Sequence, residues 1–66
     1  MSEQEVVRLR KWVHDLNNRV GSILATAELL QMDKLDPKAM DRSRLIETKA
    51  LEVRDIIRQL ADQYLQ

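Results

Sequence analysis

Cysteine and phenylalanine are absent from this chain, and glycine, proline, tryptophan and tyrosine each occur once. Without cysteine there can be no disulfide and no thiolate metal site, which fits a reducing compartment. A single Gly and a single Pro leave few places to turn or break the backbone, and the lack of Phe removes a common strand former, so helix is favoured over sheet. Net charge is also missing, because eleven basic residues balance eleven acidic ones. That leaves no electrostatic footprint for nucleic acid or an anionic membrane surface. No apolar run approaches the length of a bilayer span, and the charged N-terminal stretch does not read as a signal peptide. The expectation is a soluble, cytoplasmic protein with no membrane insertion and no nucleic-acid partner.

Strong helix formers dominate what is present: Leu, Ala, Glu, Gln, Arg and Lys. A hydrophobic fraction of 44% argues against disorder. With 66 residues the chain makes one small domain, 1–66, whose thin core calls for a staple or a partner.

Ser2 and Glu5 have the spacing of a capping box. From there Val6, Leu9, Val13, Leu16, Val20, Ile23, Ala27 and Leu30 alternate spacings of three and four. This is a heptad seam, with Val6, Val13, Val20 and Ala27 at a and the other four at d. The pattern stops near residues 32–38, where Asp36 before Pro37 reads as an N-cap followed by the first helical residue. A second seam follows through Ile46, Ala50, Val53, Ile57, Leu60 and Tyr64. The expected fold is all-α: helix 1 over about 3–33, a loop over about 34–36, and helix 2 over about 37–65, forming an antiparallel hairpin. Trp12, Leu24, Leu45 and Ile56 widen the apolar stripes beyond what one neighbour covers. The simplest closure is a homodimer in which two hairpins make a four-helix bundle.

The sole histidine lies in "HDLNN", residues 14–18, within the first seam. Asp and Asn are mediocre helix formers, so their clustering beside His14 asks for a reason. With Val13 at a, His14 falls at b, Asp15 at c and Asn18 at f, all directed to solvent. Asn18 is one turn from His14 on the same face. Further along this face come Gly21, Ser22, Ala25, Glu28, Leu29 and Met32, with Glu28 the one charge. Gly21 costs about 1 kcal/mol against Ala in a helix interior, and small residues let another backbone approach. Gly21, Ser22, Ala25 and Leu29 therefore form a candidate docking surface. The outer face of helix 2 is crowded with charge, including Arg42, Arg54, Asp55, Arg58 and Asp62. It reads as a solvated face with no chemistry. One His and no Cys supply too few ligands for a metal, and nothing beside His14 offers a hydrolytic nucleophile or oxyanion hole.

HDLNN on the first helix of a dimerising hairpin resembles the H-box of histidine kinases. The stretch HDLNNRVGSILATAELL and the hairpin pattern together look like the dimerisation and histidine-phosphotransfer domain of that family, over nearly the whole chain. The resemblance implies that His14 is a phosphoacceptor relaying a phosphoryl group between a kinase ATP-binding domain and an Asp of a response-regulator receiver domain, as part of two-component signal transduction. It implies that Asp15 orients the imidazole or accepts its proton, that Asn18 positions water in a phosphatase reaction, and that a receiver docks on Gly21, Ser22, Ala25 and Leu29. Imidazole suits such a role because it is nucleophilic near pH 7.

Two departures qualify the match. Arg19 stands where many members have a helix-bending Pro, although the Asn-Asn form of the box commonly lacks it. The family also needs a separate ATP-binding domain with Asn- and Gly-rich motifs, which one Gly excludes here. ATP and Mg would be bound by another domain, with no cofactor held in this chain, and the chain could not autophosphorylate alone. It would then be a fragment of a longer kinase, a free-standing phosphotransfer module, or a degenerate relative. The competing reading is a non-catalytic dimeric coiled-coil adaptor that binds a kinase or receiver without phosphotransfer.

Overall fold

The computed structural model of the protein describes residues 1–65; Gln66, the last residue of the expected domain, lies outside them. Helix α1 spans Glu3–Gln31. Its start is built from both halves of the capping box: the Ser2 hydroxyl accepts from the Glu5 N–H at 3.1 Å, and the Glu5 carboxylate accepts from the Ser2 N–H at 3.5 Å. The helix ends two residues before the expected position. The Met32 and Asp33 N–H groups donate to the carbonyls of Leu29 and Leu30 at 3.0 and 3.1 Å, i to i−3 bonds that tighten the last turn and satisfy carbonyls no longer served by the helix. Residues 32–36 connect the helices. Helix α2 spans Pro37–Tyr64, with Pro37 at its first position and the Asp36 carboxylate accepting from the Ala39 N–H at 2.8 Å. Beyond Tyr64, the Leu65 N–H still donates to the Ala61 carbonyl at 2.8 Å.

The two helices pack against each other as a hairpin, and one cross-helix hydrogen bond fixes their register. Ser43 is fully buried, and its hydroxyl donates to the Ala27 carbonyl at 2.9 Å. Because the helices are antiparallel, each heptad back from Ala27 meets a heptad forward from Ser43. Val20 and Val13 thereby meet Ala50 and Ile57, which form the core cluster with Leu9, Leu24, Leu60, Ala61 and Leu65 packed against it. Two small side chains, Ala27 and Ser43, meet in the layer nearest the five-residue connection.

Only one column of each heptad seam is closed along the middle of the hairpin by this packing. The a residues Val13, Val20 and Ala27 are buried, and so are Ser43, Ala50 and Ile57 at equivalent heptad positions of α2. The d column is closed only at the far end, where Leu9 and Leu60 pack against the core; over its middle Leu16, Ile23, Ile46 and Val53 remain 44%, 50%, 46% and 42% exposed. A single neighbour covers an arc of each helix too narrow for both columns. Ile23 of α1 and Leu45, Ile46 and Val53 of α2 line one apolar groove, so both open columns lie on the same flank. The hairpin is 51 × 15 × 12 Å with a radius of gyration of 15.3 Å, against about 11 Å for a compact domain of this length.

Candidate functional site

His14 lies on α1 seventeen residues before its end, about 26 Å along the axis. Val13 holds that turn down by packing in the core, and a side chain one position further is carried outward, so His14 is exposed. Asn18, one turn later, is also exposed. Its amide nitrogen Nδ2 lies 3.3 Å from His14 Nε2. An amide nitrogen can only donate, so Nε2 accepts, and the imidazole proton is placed on Nδ1. The contact is long for a hydrogen bond and is exposed, so it biases the ring without locking it.

Asp15 departs from the fully solvated position expected of it. It is half-buried in a shallow groove shared with Trp12, Leu16 and Arg19. Arg19 folds back one turn and donates from Nη1 to the Asp15 backbone carbonyl at 3.4 Å, not to the carboxylate. No hydrogen bond joins Asp15 to His14 among the described residues. Adjacent helical residues point about 100° apart and do not face each other, so the structure brings Asn18 to the imidazole and does not bring Asp15.

The face beyond Asn18 is open. Gly21, Ser22, Ala25 and Leu29 are all exposed, with Leu29 and Met32 among the most exposed large apolar side chains of the chain. A Cβ added at Gly21 would meet nothing within 4 Å, and its φ is not positive. The hairpin therefore has no steric or conformational need of glycine there. The Thr26 hydroxyl donates back to the Ser22 carbonyl at 2.8 Å, which keeps Thr26 from adding a free polar group to this strip.

Two features of the neighbourhood were not singled out by the sequence. Asn17 faces α2, where it lines a groove with Arg54, Ile57, Arg58 and Ala61. The heptad position e of Asn17 was the available signal. Ser43 is the other, detectable because Ser43, Ala50, Ile57 and Tyr64 recur every seventh residue. No cluster of His, Cys, Asp and Glu among the described residues could hold a metal ion. Among the described residues, no helix is long and apolar enough to cross a membrane. Comparison with family models, with curated proteins and with solved structures finds no match for the chain.

Proposed function

We propose that the protein is a dimeric histidine phosphoacceptor module of two-component signalling, with His14 as the nucleophile and a four-helix bundle as its working form. The observation that carries the reading is an exposed imidazole whose Nε2 accepts from the Asn18 amide. That bond biases the ring towards the tautomer with its lone pair on Nε2.

In this reading a receiver's aspartyl phosphate approaches over Gly21, Ser22, Ala25 and Leu29. The Asn18 contact breaks, and Nε2 attacks phosphorus. An N–P bond forms, the acyl P–O bond breaks, and the receiver's Asp leaves as a carboxylate. The ring, now phosphorylated at one nitrogen and protonated at the other, returns to neutrality by losing the Nδ1 proton. Asp15 takes that proton after its carboxylate turns out of the Trp12–Arg19 groove. Transfer from ATP runs through the same nitrogen, with nucleotide and Mg held by a separate catalytic domain. In a separate phosphatase reaction Asn18, freed from the ring, positions a water that attacks the receiver's aspartyl phosphate, releasing inorganic phosphate and the Asp carboxylate. The setting implied is cytoplasmic.

The dimer is supported by the open d columns. The hairpin exposes 5467 Å², about 1,100 Å² more than a folded monomer of its mass is expected to show. That excess is similar to the roughly 800 Å² each partner contributes to a standard interface.

The test is back-transfer. The chain is incubated with a panel of phosphorylated receiver domains, and acid-labile, base-stable phosphate is sought on it. Label that appears on the wild type and is lost in His14→Ala is the expected result. A folded, dimeric chain that takes no label from any receiver would replace this reading with a non-catalytic adaptor.

A further inference from the structure

The phosphoacceptor reading leaves unexplained why α2 brings two arginines to the same flank as His14. Around α1, the first position beyond the buried a column is e, occupied by Asn17, and the next is b, occupied by His14. Asn17, Arg54 and Arg58 line a groove of about 360 Å³ with Ile57 and Ala61. The register set by Ser43 and Ala27 gives the axial position. His14 lies thirteen residues before Ala27, and Arg54 and Arg58 lie eleven and fifteen residues after Ser43. His14 therefore falls between the levels of the two guanidinium-bearing residues.

The charge of this groove is only partly compensated. Across a helical pair, flanking positions such as e commonly carry complementary charges. Here the position facing Arg54 holds a neutral amide, and no acid lines the groove. Among the described residues Arg54 makes no ion pair. Arg58 reaches Asp55 at 3.7 Å with both side chains well exposed, a contact that is long and readily exchanged. Elsewhere on α2, Lys49 and Glu52 pair at 3.1 Å, while Arg42 and Arg44, like Arg54, make no ion pair among the described residues.

We propose that Arg54 and Arg58, assisted by the Asn17 amide, form a clamp for the oxygens of a phosphoryl group on His14. The site's ligand class is a tetrahedral phosphoryl dianion. Planar guanidinium forks match its oxygens, and a cationic groove at the axial level of His14 would offset the charge that arrives there. Both arginines are positioning residues, because neither exchanges a proton or a bond with the phosphoryl group. The proposal rests on the phosphoacceptor reading for its biological meaning, but its test needs no partner protein.

Potassium phosphoramidate phosphorylates accessible histidine directly: the imidazole nitrogen bonds to phosphorus and ammonia leaves. The full chain labelled in this way is followed by phosphorus NMR and by the arginine Nε–H signals. The expected result is that phosphorylation shifts Arg54 and Arg58 while leaving Arg8 and Arg42 in place. The midpoint for the second ionisation of the phosphoryl group should also rise in Arg54→Gln and Arg58→Gln, because a nearby cation favours the dianion. Arg42→Gln, remote from the groove, should leave it unchanged. If the Arg54 and Arg58 signals stay still, or both groove variants keep the wild-type midpoint, the clamp is wrong. That outcome is separable from failure of back-transfer, which depends on a receiver and not on these arginines. All three variants replace exposed helical residues, so helical circular dichroism checks that the fold is retained.

Discussion

Asn18 and Gly21 each occupy a helical position that alanine would hold at lower free energy. At Gly21 the cost has no return inside the hairpin, since a methyl group there would touch nothing. Gly21→Ala is therefore expected to stabilise the fold by about 1 kcal/mol, raising the melting temperature by roughly 4–8 °C for a domain of this size. In the same variant, slower phosphotransfer from receivers is expected if a partner's backbone approaches that strip. A gain in melting temperature with unchanged transfer would remove Gly21 from the docking surface. Asn18→Ala should behave differently. Its gain in helix propensity, about 0.6 kcal/mol, is largely offset by loss of a side-chain pair worth about 0.2–0.5 kcal/mol. Stability should hardly move, while the imidazole nitrogen signals of His14 should lose their bias towards the Nδ1–H form. Unchanged nitrogen shifts would mean that the 3.3 Å contact does not select the tautomer in solution. The exposure of His14 and its pairing with Asn18 were legible from the heptad, because i and i+4 positions must share a face. The half-burial of Asp15 was not, since it depends on where Trp12 and the flexible Arg19 side chain settle.

The helices themselves were readable to within two residues, because cap chemistry marks their ends. Ser2 with Glu5, and Asp36 with Pro37, are local signals that survive any tertiary context. The C-terminus of α1 carries no such signal: no glycine follows it, and the tightened bonds at Met32 and Asp33 are a backbone response that no residue type announces. Asp36→Ala should cost about 1 kcal/mol, read as a lower urea midpoint with an unchanged slope. The pairing of the two helices was less legible. The seams indicated which residues are apolar but not which column closes first, and Ser43 breaks the apolar rule at a buried position. Ser43→Ala keeps the volume but removes the bond to Ala27. It should cost about 1 kcal/mol, a modest loss because the Ala27 carbonyl can still accept from its own helix. Ser43→Leu forces extra volume into the layer nearest the connection and should cost about 1–3 kcal/mol. If Ser43→Leu were as stable as Ser43→Ala, the register drawn from that hydrogen bond would not be the one in solution.

At the scale of the whole molecule, the division of each seam into a closed a column and a d column open over its middle separates two kinds of lesion. Val20 is buried within the hairpin, so Val20→Asp places an unpaired charge in the core, costs about 3 kcal/mol or more, and should unfold the chain. Ile23 is half exposed, so Ile23→Asp should be tolerated by an isolated hairpin and should act only on association. The consequence is a test by mass action. A dimer that binds only folded chains raises apparent stability with concentration. The wild-type melting temperature should therefore climb as protein concentration is raised, with a dimeric mass in sedimentation equilibrium. Ile23→Asp should be monomeric, and its lower melting temperature should not depend on concentration. His14→Ala should remain dimeric and melt like the wild type, because the imidazole belongs to neither column. A wild type that is monomeric, with a concentration-independent melting temperature, would leave the d columns uncovered by a second copy. The four-helix bundle would then have to be abandoned, even if His14 were still labelled by a receiver.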